Sequence, residues 1–225
     1  MGISQSAAQR WLDVDPVRIA GWLDTFATRH GEAAYDAGRE AVTVRAADGA
    51  VAECHPPFPP LPAGSAGTGA ELAAHALADR TVAVLLVRLG GYAAGIFAGS
   101  DARLVASKVG SRLVHGRSAA GGQSQHRFAR RREKQASEAL AAAADCAAGV
   151  FGDYAGRIDA LVLGGDKRAV AALADDPRLR PYFQLAVDRF LTVPDPRLKV
   201  LQATPRAFRA IRIRLVERLP PRPVM

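Results

Sequence analysis

Apolar residues first recur at helical spacing in "DPVRIAGWLDTFATRH", residues 15–30, where Ile19, Trp22, Leu23 and Phe26 share one face. Asp15 is placed to cap this helix, Pro16 stands in its first turn and Gly31 ends it. The period then changes to two in "AVTVRAADGAVAEC", which alternates, turns at Asp48-Gly49 and alternates again, as a hairpin does. Residues 55–69, "HPPFPPLPAGSAGTG", follow as a linker or an ordered crossing segment. A helical patch, "AELAAHALADR", precedes three strand-like runs: "TVAVLLVRL", "YAAGIFAG" and "ARLVASKVG". Short glycine turns join these runs, so they form an antiparallel meander, and the uniformly apolar first run is its central strand.

Residues 125–149 read as one long alanine-rich helix, because alanine is the best helix former and nothing breaks the run. "IDALVLGGDKRAVAALADD" reads as a buried strand, a Gly-Gly turn, a cap at Asp166 and a helix. A helix near 178–188, a short strand "RFLTV" and a last strand "AIRIRLVE" complete the pattern. In that last strand Ile211, Ile213 and Leu215 alternate with Arg212 and Arg214. The expected fold is α/β, a mixed β-sheet with flanking helices. Residues 1–70 form an amino-terminal helix, hairpin and linker, and residues 71–225 form the main domain. No internal repeat is visible.

Composition narrows the class. The chain has 225 residues, 49% of them apolar and 23% charged, which suits a globular protein with a core. The net charge is +8. Residues 103–134 hold nine Lys or Arg against the single acid Glu133, and the rest of the chain balances. A patch so concentrated points to a polyanion, and nucleic acid fits better than a membrane because no basic amphipathic helix with large apolar residues accompanies it. Cys54 and Cys146 lie far apart and the histidines do not cluster, so neither a metal site nor a disulfide framework is expected. With no signal-like amino terminus and no run long enough to span a bilayer, a cytoplasmic protein is expected.

Between strand and long helix lies "GSRLVHGRSAAGGQSQ", residues 110–125, with four glycines. A loop of that length in a compact domain is often functional. Arg127, Arg130, Arg131 and Arg132 crowd the helix start, where cations oppose the helix dipole, so another role must hold them there. Gly121-Gly122 lets the backbone approach a ligand closely. Glutamine neither donates nor takes a proton at neutral pH, and its amide can only orient a reactant. An orienting glutamine among arginines suits attack on an ester or phosphodiester of RNA. "LVLGGDK" lacks the spacing of a phosphate loop, and a turn with a helix cap accounts for it better. Tyr92 reads as a half-buried strand residue, with base stacking as the alternative.

"KVGSRLVHGRSAAGGQSQHRFARRREKQ", with "VLLVRLGGYAAGIFAG", "DALVLGGDKRAV" and "FLTVPDPRL", resembles the actinobacterial branch of the Vms-like release factors, relatives of the catalytic middle domain of eukaryotic peptide-release factors. The resemblance runs from about residue 76 to 217 and touches "WLDTFATRHG". It implies a release-factor-like fold with the catalytic loop between a strand and a long helix. It further implies hydrolysis of peptidyl-tRNA on stalled or split large ribosomal subunits, without metal or cofactor. The large subunit, peptidyl-tRNA and rRNA would be the partners. The family pattern of a glycine, two variable residues and a glutamine assigns the catalytic role to Gln125, whereas the literal Gly121-Gly122-Gln123 of ordinary release factors assigns it to Gln123. Arg112, Arg117, Arg127, Arg130, Arg131 and Arg132 are the candidate RNA-binding residues. Endonucleolytic cleavage near the tRNA 3′ end, and a non-catalytic RNA-binding module, are the alternatives.

The basic run yields a direct test. Changing Arg130, Arg131 and Arg132 together to Ala is expected to weaken RNA binding and to lower the salt slope of log K by about 0.7 to 0.9 for each phosphate that is no longer neutralised. Binding titrations from low to moderate salt read that slope, and an unchanged slope returns the run to a solvated helix face.

Overall fold

A computed structural model describes residues 7–88, 90–112 and 124–218, with side chains in the long central helix from Glu133 onward. The chain forms two units: residues 1–78 with 209–225, and residues 79–208. The second is therefore inserted in sequence between a helix and the last strand of the first.

The first unit is built on a five-stranded antiparallel sheet of strands β1 (Ala7–Val14), β2 (Ala33–Ala37), β3 (Val42–Ala46), β4 (Val51–His55) and β10 (Ile211–Arg218), in the order β1-β10-β4-β3-β2. The Asp15 carboxylate accepts the Val17 N–H at 3.1 Å and starts a short 3₁₀ turn, Pro16–Arg18, which runs into α1 (Ile19–His30). α2 (Gly69–Leu77) opens with a reciprocal cap between Thr68 and Glu71. Both helices contribute to one core: Ile19, Leu23 and Phe26 from α1 and Leu72 from α2 are buried with Val42, Val44, Ala52, Cys54, Ile211, Ile213 and Leu215 of the sheet.

The opposite sheet face is polar and ties three strands together. Arg214 of β10 binds Glu53 of β4, and the Arg212 guanidinium lies 4.4 Å from the Trp11 ring centroid of β1. Residues 55–69 are an ordered crossing segment: Pro56, Pro57, Phe58 and Leu61 are buried, and His75 Nε2 of α2 meets the Phe58 carbonyl at 2.7 Å.

The second unit has a mixed sheet of β5 (Val82–Arg88), β6 (Gly91–Ala98), β7 (Arg103–Ser111), β8 (Ala160–Gly165) and β9 (Ala186–Leu191), in the order β7-β6-β5-β8-β9. β5, β6 and β7 form the expected meander, and β5, β8 and β9 run parallel. α3 (Ser124–Gly152) packs on β6 and β7, and α4 (Lys167–Leu173) packs on β5 and β8. The core joins Leu85 and Val87 of β5, Ile96 of β6 and Leu161 of β8 to Ala143, Ala147 and Phe151 of α3 and Val170 of α4. On the other face α6 (Leu198–Gln202) lies against β6, and α7 (Thr204–Phe208) against β9.

Several expectations are corrected. The helix at 69–77 and the last strand do not belong to the main domain, so the boundary at 70/71 moves to 78/79 and the chain returns at residue 209. The reason lies in β10: its alternating apolar side chains complete the first core, while its backbone fills the gap between β1 and β4. The helix near 178–188 shrinks to α5 (Arg180–Phe183), because parallel pairing with β8 draws the chain into β9 from Ala186. β1, β2, α6 and α7 are elements that the sequence pattern does not announce.

Gly165 ends β8 with φ +101°, and a Cβ there would fall inside the contact radius of the Val87 carbonyl oxygen. That oxygen accepts the Asp166 N–H at 2.7 Å, so it has no freedom to withdraw. Gly165→Ala is expected to destabilise the fold by about 2 kcal/mol, from backbone strain and loss of that bond. Thermal unfolding checks it: a loss of that size lowers the midpoint by roughly 4–8 °C in a chain of this length.

Candidate functional site

The strand and helix flanking the candidate loop are both present, with β7 ending at Ser111 and α3 beginning at Ser124. β7 is an edge strand held to β6, and its last registered pair is Ser111 with Gly91. Arg112 N–H donates to the Gly90 carbonyl at 2.9 Å, so the chain is fixed to the β5–β6 turn as it leaves the sheet. Below this exit Gly110 lies under Tyr92: a Cβ at 110 would stand 2.5 Å from the Tyr92 hydroxyl oxygen. The Tyr92 ring packs against the core of this unit, which accounts for it as a strand residue.

α3 is anchored by one stripe. Ala139, Ala143, Ala147 and Val150 are buried, with Ala144, Cys146 and Phe151 beside them, at the spacing of a single helix face. Cys146 Sγ donates to the Lys108 carbonyl at 3.4 Å, which fixes the helix against β7. Among the described side chains of the helix, the stripe starts at Ala139. From Glu133 to Glu138 the side chains are exposed except for Gln135, which is half-buried. At 1.5 Å per residue, residues 124–138 add about 22 Å of helix amino-terminal to the packed part.

Gln125 is the second residue of α3, and Arg127, Arg130, Arg131 and Arg132 follow within its first three turns. Their side chains, and all of Arg117, Gly121, Gly122 and Gln123, lie outside the described residues. Arg112 is exposed at the sheet end. The LGGDK segment is a turn and cap: Asp166 Oδ1 accepts the N–H groups of Arg168 at 2.8 Å and Ala169 at 3.1 Å.

The two thiols are poor nucleophiles. Burial pushes Cys54 up to about 12, and burial also raises Cys146 despite the nearby Lys108. Among the described residues, no His, Cys, Asp and Glu group is placed to hold a metal. None of their helices is long and apolar enough to cross a membrane. The residues beside the loop's exit are instead cationic. Arg88, Lys167, Arg168 and Arg197 come from three separate segments that the strand register brings to one end of the sheet. Sequence reading misses this grouping, because only the strand order assembles it.

Residues 80–214 match the profile of the Actinobacteria/chloroflexi VLRF1 release factor family. The chain belongs to that family. The match takes in the whole second unit from β5 to α7 and ends within β10. VLRF1 membership gives the chain a release-factor-like, ribosome-related role and agrees with its mixed α/β fold. No curated protein matches the chain.

Gly110 supplies a check on the loop's root. Gly110→Val places two methyl groups where the Tyr92 ring lies and is expected to cost on the order of 1–3 kcal/mol through overpacking. Tyr92→Phe, which keeps the ring, is expected to leave both stability and RNA affinity within twofold of wild type. Thermal melts and tRNA titrations read the pair; a large loss of affinity in Tyr92→Phe assigns the hydroxyl to RNA.

Proposed function

We propose that this protein is a peptidyl-tRNA hydrolase that frees nascent chains from stalled or split large ribosomal subunits in the cytoplasm. The observation that carries the reading is the segment Gly121-Gly122-Gln123-Ser124-Gln125 running into the first residues of α3, in a chain of the VLRF1 release factor family. The loop enters the peptidyl-transferase centre, and Gln125 orients water against the ester that joins peptide to tRNA. Gly121 and Gly122 keep side chains out of the way of the RNA. Gln123 occupies one of the two variable positions before Gln125.

Three physical points support this assignment. The first four N–H groups of a helix have no acceptor within it, so the start of α3 offers donors for a developing oxyanion beside Gln125. An amide carries no charge, so it is not repelled from an ester surrounded by phosphates. Arg112, Arg117, Arg127, Arg130, Arg131 and Arg132 supply affinity for rRNA and tRNA without taking part in the chemistry. Neither metal nor cofactor is needed for a positioned water.

Single-turnover cleavage of a defined peptidyl-tRNA on large subunits tests the reading. Gln125→Ala is expected to lose about 10²–10³-fold in rate, the usual cost of removing one transition-state donor, while co-sedimentation with subunits stays unchanged. Gln123→Ala is expected to lose less than tenfold. A dead Gln123→Ala beside an active Gln125→Ala reverses the assignment, and normal cleavage by both removes glutamine from the mechanism. The tRNA product decides the bond: an intact terminal adenosine means ester hydrolysis, and a shortened tRNA with a cyclic phosphate means attack by a ribose 2′-hydroxyl. Binding without any cleavage leaves a non-catalytic module.

A further inference from the structure

The strand register of the second unit gathers charge at one end of its sheet. β5, β8 and β9 run parallel, so their carboxyl ends coincide, and the antiparallel β6 and β7 bring Gly91 and Ser111 to the same end. Arg88, Arg112, Lys167 and Arg168 stand there, and the segment after β9, which meets Arg88 at Val193 and Gly91 at Asp195, carries Arg197 and then Lys199 into α6. Only two acids accompany them among the described residues, and both are engaged. Asp166 caps α4, and Asp195 Oδ2 lies 3.5 Å from an Arg197 guanidinium nitrogen. At the opposite end the signs alternate, with Arg80, Arg103 and Arg157 beside Asp79, Asp101, Asp153 and Asp159.

Arg88, Lys167 and Arg197 have partners in the fold. Arg88 Nη1 donates to the Val193 carbonyl at 2.8 Å and pins the segment after β9 across the β5–β6 turn, where the Asp195 carboxylate closes over Gly91. Lys167 Nζ sits 5.7 Å from the Phe190 ring centroid, over the end of β9. Lys167, Arg168, Arg197 and Lys199 are all exposed. Five strands at about 4.8 Å spacing give the end a width of about 19 Å, enough for a few nucleotides of one strand.

We propose that this end is a second RNA-binding wall, in which Lys167, Arg168, Arg197 and Lys199 take the phosphate backbone of the tRNA strand on which the neighbouring loop acts. The inference rests on the peptidyl-tRNA reading and extends the RNA interface outside the 103–134 basic stretch. A wall rich in exposed cations, with Leu198 and Val109 as its exposed large apolar side chains, has the composition of a polyanion surface and lacks the aromatic and apolar centre of a protein interface. The four residues lie outside the basic stretch 103–134 in sequence, on the segments that follow β8 and β9.

The test uses full-length protein and deacylated tRNA, with binding followed by fluorescence anisotropy between about 50 and 200 mM salt. The variant carrying Lys167→Gln, Arg168→Gln, Arg197→Gln and Lys199→Gln is expected to bind at least tenfold more weakly. Its salt slope is expected to fall by about 3, from about 0.7 for each phosphate of a single strand that is no longer neutralised. Arg80→Gln with Arg157→Gln, at the other end, is expected to bind as wild type does. Thermal midpoints confirm that both variants are folded, and the two halves of the fourfold change, made separately, each give part of the loss.

An unchanged affinity and slope in the fourfold variant overturns the wall. If that variant also cleaves peptidyl-tRNA normally, the hydrolase reading survives alone. Loss of large-subunit association with unchanged tRNA binding means that the wall meets the ribosome and not the tRNA, which equally overturns it. Failure of wild type to bind tRNA at all overturns the wall and leaves the hydrolase reading to the cleavage assay on large subunits, whereas loss of cleavage in Gln125→Ala with a normal salt slope bears only on the loop.

Discussion

Strand β5 is hydrogen-bonded antiparallel to β6 on one side and parallel to β8 on the other, and the parallel pairing dictates how the rest of the second unit is connected. A hairpin turn cannot join parallel neighbours, so the chain must travel back along the sheet before β8 begins. β7 ends at the sheet end where β5 also ends, and β8 starts at the other. One long element has to cover that distance on a face of the sheet, and α3 does so through its stripe of buried alanines. The segment from 112 to 123 thus leads into a compulsory crossover. A glycine-rich stretch at that point is set between a fixed strand end and a helix that has a fixed docking face.

α3 is longer than the crossover requires. Fourteen residues from Ala139 to Gly152 span about 21 Å, enough to run the length of the strands beneath. From Glu133 to Glu138 the described side chains bury no stripe, and the helical state of that stretch rests on propensity. A helix of that kind costs stability unless a partner offsets it, and the turns before it carry the candidate site. The division is physically useful: alanines, which fit closely against β6 and β7, hold the scaffold, and the exposed residues just before them add nothing to that core.

How much of this is legible in the chain follows from the range of each interaction. The meander, α1, the Asp48-Gly49 hairpin and the Asp166 cap depend on residues within a few positions of one another, and local pattern reveals them. β10 alternates as clearly as any strand, yet nothing in its own sequence says which sheet it joins. Its partners β1 and β4 lie about 150 to 200 positions away, and the match of Ile211, Ile213 and Leu215 to the first core decides the matter. β1 is hidden because Gln9, Arg10 and Asp13 interrupt its apolar residues, and edge pairing with β10 compensates. The LGGDK segment shows the converse, a motif-like spelling that a cap and a strained glycine fully explain.

The candidate site divides along the same line. The loop, its glycines and the arginines after it are contiguous, so composition alone exposes them. Arg88, Lys167, Arg168, Arg197 and Lys199 are spread over more than a hundred positions and balanced within their own neighbourhoods by acids, which makes them invisible to a running count of charge. Register converts that balance into polarity, because the acids fall at the far end of the sheet or are spent on Asp166's cap and the Asp195–Arg197 pair. On the proposed reading, a neutral glutamine beside cations of one sign is a coherent choice for chemistry on RNA. Cations attract the backbone and hold it. An acid at the glutamine's position would be drawn toward those cations and away from the bond to be broken, and a lysine would settle on a phosphate. The uncharged amide is the side chain that such surroundings neither displace nor capture.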